Sequence, residues 1–454
     1  MNGTDPTAIN GRQFAVDASW PTVVIGGGSS GTRAAIDAAA RGEKVLLVDE
    51  HPAAPGLLGM DVPYLFGGRL DASVQNSARI LETVVEARPG LAEAMEAGVE
   101  LALGVSVWGA FGRGPASRNL KTPLLGLADE NRAWLVAAEK IVVAAGTRDL
   151  VLPFPGGDFL GVMGACGFLA AVQLYRAFNG SRIAVLGRGA AADAVLRAAN
   201  QAGIPVVLHV AEPQAVRALG SLEVEGIAHD GRDVACDTIV LAIDQVPNVE
   251  LFDVLGIPVA FDAARGGFVP GPLPPHVAAA GACAGGRPEP DDRMARRTAW
   301  LATMATRESM VCRCEEVRLA ELMDLSPPKY LGDNRHHTLA GLGPLNQDQV
   351  KRLTRAGMGP CQGRRCRDAV HALLAQGAAS MPPMASFRPP LRPLPLAALA
   401  ALPETAEIHD NWTGWFGIAA QWLPHWQPAP EDAEFIGNLL GTSMHKAGHE
   451  VTGK

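Results

Sequence analysis

The sequence predicts an α/β chain made of two glycine-loop units, one set inside the other, then a small helical domain and an extended tail. Three observations predict it. Two stretches, residues 21–50 and 182–210, each run from an apolar segment through a glycine cluster into a helical segment and a second apolar segment. Four of the seven cysteines form two tight pairs, Cys312-x-Cys314 and Cys361-x4-Cys366. Beyond residue 378 the chain becomes proline-rich (MPPMASFRPPLRPLPL), then tryptophan-rich (NWTGWF, QWLPHWQ).

Composition bounds the function classes. The chain has 454 residues, 48% hydrophobic and 19% charged, enough apolar material for several packed domains. A net charge of -8 argues against a nucleic-acid-coating surface. No apolar run reaches the ~18–20 residues that span a bilayer, so no transmembrane segment is expected. The first residues, MNGTDPTAIN, lack a basic-then-apolar leader pattern. The expected compartment is the cytoplasm, where paired cysteines are metal ligands or redox groups rather than a disulfide framework.

The first unit reads PTVVIGGGSSGTRAAIDAAARGEKVLLVDE. Gly26, Gly28 and Gly31 have G-x-G-x-x-G spacing between an apolar strand and a helix. The first permits a tight turn, the second lets backbone approach a pyrophosphate, and the third lets the helix pack closely on the strand. Ser30 lies where the helix N-terminus offers its N–H groups to phosphates. Asp49 closes the second strand, where an acid accepts hydrogen bonds from a ribose, and Glu50 follows it. These residues point to a dinucleotide or adenine nucleotide. The second unit, RIAVLGRGAAADAVLRAANQAGIPVVLHV, carries Gly187, Gly189 and Ala192, but its first following acid, Glu212, is displaced. It keeps the dinucleotide-binding pattern with or without a bound nicotinamide nucleotide.

Three further segments also run from strand to turn. They are KIVVAAGTR at 140–148, TIVLAIDQVPN at 238–248 and HVAAAGACAG at 276–285. Boundaries then fall at 20–150 plus 266–305 for the first unit, 151–265 for the second, 306–378 for the cysteine domain and 379–454 for the tail. Cys166, Cys236 and Cys283 have no local partner and read as small buried residues. His336 and His337 read as a solvated loop pair.

Four thiolates in two pairs fit three chemistries. Structural zinc prefers C-x2–4-C pairs. Disulfides are disfavoured by compartment. A [2Fe-2S] cluster takes four thiolates, and Arg313, Arg364, Arg365 and Arg367 would offset its negative charge. Gly359 and Gly363 would let N–H groups approach the sulfurs.

Two families are resembled. The nested order of units resembles the flavoproteins typified by glutathione reductase. That resemblance implies a nucleotide contact at Ala145 and Gly146, and another at Gly281 and Ala282, where the family has Gly-Asp and the Asp holds the flavin ribityl chain. Ala282 removes that acid, so the site is expected to hold FAD or another adenine nucleotide. "CRCEEV" followed by "TRAGMGPCQGRRC" resembles the [2Fe-2S] module related to bacterioferritin-associated ferredoxin. That module ends the A-type subunit of heteromeric FAD-dependent amine and amino-acid dehydrogenases, such as opine oxidase, hydroxyproline dehydrogenase, hydrogen cyanide synthase and heterotetrameric sarcosine oxidase. The resemblance implies Cys312, Cys314, Cys361 and Cys366 as cluster ligands. It also implies a flavin-bearing B-type partner subunit that oxidises the C–N bond. It allows a third, small subunit, with an FMN at a subunit interface. No substrate-chemistry constellation is expected in this chain, and the arm at 387–395 is expected to cross onto the partner. Two alternatives remain at this point: a self-contained NAD(P)H-dependent ferredoxin-type reductase, and a non-catalytic assembly subunit with structural nucleotide and zinc.

Overall fold

The computed structural model describes residues 15–53, 66–112, 120, 122–212, 214–285, 293–325, 346–376, 378 and 381–404. His336, His337 and the tryptophan-rich segment lie outside these.

A seven-stranded sheet carries the first unit. Its strands are β1 (Ala18–Ile25), β2 (Val45–Asp49), β3 (Glu100–Leu103), β4 (Ser106–Phe111), β5 (Leu124–Ala128) and β6 (Ala133–Val143), in the order β3-β2-β1-β6-β5-β4. The seventh, Val277–Ala279, returns from far along the chain and pairs parallel with β6. That return closes the nesting expected from the sequence. β1 pairs parallel with β2 and with β6, so β1 is central and its side chains are buried on both faces. Its apolar run Val23, Val24 and Ile25 meets that demand.

A second, four-stranded parallel sheet runs Val206–Val210, Ile183–Leu186, Thr238–Leu241 and Val162–Gly164. The helix Ala190–Gln201 follows its glycine loop. The short strands Thr147–Asp149 and Gln245–Pro247 pair antiparallel and tie the two units together.

The cysteine-bearing segment is not an appendage. Val311, Cys312, Val350 and Val370 share one core with Phe154 and Ile239 of the second unit and with Leu150, Trp300 and Leu301 of the first. The expectation that the arm crosses onto a partner is corrected here. Phe387 and Leu391 are buried in the core of the first unit. The Leu391 N–H donates to the Trp108 carbonyl at 2.6 Å, and the Phe387 N–H to Asp253 Oδ2 at 2.6 Å. Proline fixes φ and removes donors, so the segment stays extended, and its few apolar side chains do the anchoring.

Candidate functional site

The first glycine loop joins β1 to the helix α1 (Ser29–Ala40). Gly26 has φ +111°, and a side chain there would strike the Ala144 carbonyl. A side chain at Gly31 would strike the Gly26 carbonyl, which is why the helix packs so closely on the strand. Gly28 is different: a Cβ there meets nothing within 4 Å. The open space faces a cleft lined by Gly26, Gly28, Asp49, Glu50, Ala145 and Gly146. Six of the ten sequence-predicted nucleotide residues thus meet in one cleft.

The other four lie around it or beyond it. Gly31 packs behind the loop. Ser30 faces Gly281, whose φ is +75° and where a side chain would collide with the Ser30 hydroxyl. Ala282 lines a separate cleft, opened by the second glycine loop at Arg188–Gly189, with Arg265, Arg293 and Arg296 on its walls. The Gly281–Ala282 turn therefore runs from the start of α1 at Ser30 to the second cleft.

Asp49 is buried and its two oxygens already serve three donors. Oδ2 accepts from Gly27 N–H at 2.5 Å; Oδ1 accepts from His51 N–H at 2.8 Å and from Arg88 at 3.0 Å. Its role in holding the loop is as plain as any role toward a ribose. Glu50 Oε2 accepts from Arg392 Nε at 2.7 Å. Burial pushes the Glu50 carboxyl up, but the charge of Arg392, aided by His51 and Arg364, outweighs it and holds the carboxyl down at about 2.

Arg392 belongs to a chain of charges that the sequence did not announce. The Asp368 carboxylate, two residues after Cys366, accepts from Arg148 at 2.8 Å. Arg148 lies 3.3 Å from Glu250, Glu250 lies 3.9 Å from Arg392, and Arg392 reaches Glu50. Arg148 and Glu250 are buried, a placement tolerated only when such charges are paired. The chain of charges joins the cysteine segment to the first cleft.

The four cysteines converge from two segments. Their sulfur contacts run Cys366–Cys312–Cys314–Cys361, with 3.9 Å from Cys312 to Cys314 and 3.6 Å from Cys314 to Cys361. Thiols this close oppose ionisation. The hydrogen bond from Cys312, then burial, pushes Cys314 up to about 12 even though Cys361 pulls it down, and contact with Cys314 followed by burial pushes Cys361 well up. Backbone amides of Gly357, Cys361 and Arg365 donate to the sulfurs of Cys312, Cys314 and Cys361. A side chain at Gly359 would strike Cys314, whereas one at Gly363 would meet the Arg367 guanidinium. The arginines act through charge and carbonyls: Arg364 donates to the Cys361 carbonyl at 3.1 Å, and Arg367 lies 3.6 Å over the Phe387 ring while donating to the Ala385 carbonyl. Among the described residues, no group of three or more His, Cys, Asp or Glu is arranged about a single metal-ion position.

The remaining cysteines divide. Cys236 and Cys283 are buried as expected, but Cys166 is partly exposed. Its sulfur accepts from Gln245 at 3.1 Å and its N–H donates to Asp149 at 2.8 Å. Among the described residues no helix is long and apolar enough to cross a membrane.

Comparison with known proteins agrees with this geometry. A family profile, pyridine nucleotide-disulphide oxidoreductase, matches residues 20–192. The A subunit of opine oxidase from Agrobacterium tumefaciens is 22% identical, over 86% of this chain and 93% of that one. Its counterpart, the opine oxidase A subunit of Rhizobium meliloti, is 35% identical over a shorter stretch, 26% of this chain and 20% of that one. Among solved structures, L-proline dehydrogenase from P. horikoshii superposes with a TM-score of 0.60 at 19% identity, covering 86% of this chain and 81% of that one, which shows a shared fold. The chain is an oxidoreductase built on the mixed α/β dinucleotide-binding fold of the pyridine nucleotide-disulphide oxidoreductases.

Proposed function

We propose that this chain is the electron-transfer subunit of a hetero-oligomeric flavin-dependent dehydrogenase that oxidises the C–N bond of an amine or amino acid. The observation that carries the reading is the meeting of four cysteine sulfurs on a chain that also holds a nucleotide cleft. The similarity to the A subunit of opine oxidase supports a multi-subunit assembly, and in this reading the partner bears the flavin that oxidises the C–N bond.

The donor set suits a [2Fe-2S] cluster. Two thiolates on one tetrahedral metal at about 2.3 Å stand about 3.8 Å apart; either the 3.9 Å Cys312–Cys314 contact or the 3.6 Å Cys314–Cys361 contact fits one iron's pair, since Cys314 can serve only one iron. Four sulfurs strung through three contacts, with no three of them about a single metal position, suit two metals better than the closed shell of one zinc ion. Cys312, Cys314, Cys361 and Cys366 would hold the cluster, and bound flavin and cluster would together convert an electron pair into single-electron transfer. The chain's own residues supply the setting. Amides of Gly357, Cys361 and Arg365 donate to the sulfurs, and Arg364 and Arg367 place positive charge nearby. Gly26, Gly28, Ala145 and Gly146 offer backbone to a nucleotide, as FAD or another adenine nucleotide.

The test has two parts. Anaerobically purified protein should carry about two iron and two acid-labile sulfide per chain, as four-thiolate ligation implies. The chain alone should not oxidise amines, and coexpression with its copurifying partner should confer that activity. Stoichiometric zinc without sulfide, or amine oxidation by the chain alone, overturns the proposal. The arginine-lined cleft at the second glycine loop favours a second reading, a self-contained NAD(P)H-dependent reductase. Bleaching of a bound flavin by NAD(P)H in the isolated chain would select it.

A further inference from the structure

We infer that Glu250 is a ligand-reading residue of the first cleft, its Oε1 accepting a hydrogen bond from a donor on the bound nucleotide, either a base amine or a sugar hydroxyl. The inference rests on the proposal that this cleft holds a nucleotide. Three carboxylates line the cleft: Asp49, Glu50 and Glu250. Asp49 is committed to three donors, and Glu50 is committed to Arg392. Glu250 is 3% exposed, and its Oε1 has no hydrogen-bond donor among the described residues. Its other oxygen faces Arg148 at 3.3 Å. Arg392 stands 3.9 Å from Oε1, near enough for charge attraction but beyond hydrogen-bond reach.

A buried carboxylate oxygen without a donor is costly, and folded proteins rarely tolerate it away from a binding site. The surroundings fit a nucleoside as the missing donor. Val48, Val105, Val107 and Leu251 supply apolar walls for a flat ring, and the glycine loop supplies N–H groups for phosphates. Glu250 begins the short helix Glu250–Val254 and is held by Arg148 from below, so its free oxygen is pre-positioned. The arm adds the fourth side: Leu391 is buried, and Arg392 fixes Glu50 beside Glu250.

The test compares binding of ADP, inosine diphosphate and 2′-deoxy-ADP to the whole chain and to its Glu250→Gln variant. Wild type should bind ADP at least about tenfold more tightly than one of the two analogues, the scale of a charged hydrogen bond. That preference should collapse in Glu250→Gln. Loss of discrimination against inosine diphosphate assigns the base amine, and loss against the 2′-deoxy nucleotide assigns the sugar hydroxyl. A role confined to pairing with Arg148 would lower thermal stability and leave both preferences intact, which overturns the inference. Should the variant fail to fold, wild type binding all three nucleotides equally overturns it as well. Failure of wild type to bind ADP or FAD at all would instead refute the reading of the first cleft.

Discussion

Replacing Gly359 by Ala is a sharp test of the cysteine quartet. The new Cβ would lie deep inside van der Waals contact with Cys314 Sγ, 3.1 Å from Cys314 Cβ and 3.2 Å from Glu315 Cγ. Comfortable contact needs about 3.5–4.0 Å, so the sulfur must move by more than about 1 Å. Ligand geometry tolerates about 0.2 Å. The Cys314 position is thus lost several times over, and with it the 3.9 Å and 3.6 Å contacts to Cys312 and Cys361. Overpacking adds about 1–3 kcal/mol of instability. Iron and acid-labile sulfide should fall to a small fraction of wild type, with loss of the visible absorbance. Gly42→Ala is the control: φ there is +83° with nothing within 4 Å, so backbone strain alone is tested, and cluster content should hold. If Gly359→Ala retains full iron and sulfide, these four sulfurs are not the ligand set in this arrangement.

Gly28→Val should keep the fold, since a Cβ there meets nothing within 4 Å, while nucleotide content of the purified protein falls to near zero; retained nucleotide would refute the loop assignment. Arg148→Met strands the buried Glu250 and half-buried Asp368 carboxylates and should cost about 3–5 kcal/mol in chemical denaturation. Phe387→Ala should cost about 3–5 kcal/mol if the arm is core, and near nothing if the arm is free to leave. Burial holds the Asp149 carboxyl above its ordinary 3.8, against the pull of the Cys166 N–H. The folded state therefore binds that proton more tightly, and stability falls as pH rises from about 4 toward the raised value. Asp149→Asn removes the penalty, so its stability advantage over wild type should grow with pH across that window; a pH-independent difference would show the carboxyl is not titrating there.

What was legible in the sequence was local. Gly26, Gly28 and Gly31 act within one strand–turn–helix, where spacing and geometry are the same information. The cysteine pairs were legible because thiols are sparse in this chain. Glu250, Arg148 and Arg392 were not. Their partners lie far along the chain, at Asp368 and Glu50, and no periodicity marks a charge destined for burial. Asp49 does end the second strand, but the number of donors already upon it depends on Arg88 and on the fold of the loop. Ala282 was assigned to the first site because the resembled family has its flavin-binding acid at that position, and only the three-dimensional arrangement puts it on the wall of the other cleft. The arm was read as crossing onto a partner because proline-rich segments lack a pattern that marks a packed face; two side chains buried in this chain, Phe387 and Leu391, overrode that.

The seam between Glu50 and Arg392 spans 342 residues of chain. During synthesis at about 5–20 residues per second, the second strand of the first sheet waits about 17–70 s for the segment that covers it. Through that interval the faces later sealed by Leu391 and Phe387 stand open on the nascent protein. The returning strand Val277–Ala279 also arrives late, so the first sheet is the first to be started and the last to be finished. The second sheet, whose four strands fall between Val162 and Leu241, can close long before it. The order of emergence from the ribosome is thus not the order of completion, and the window of exposure falls on the sheet that carries the nucleotide cleft.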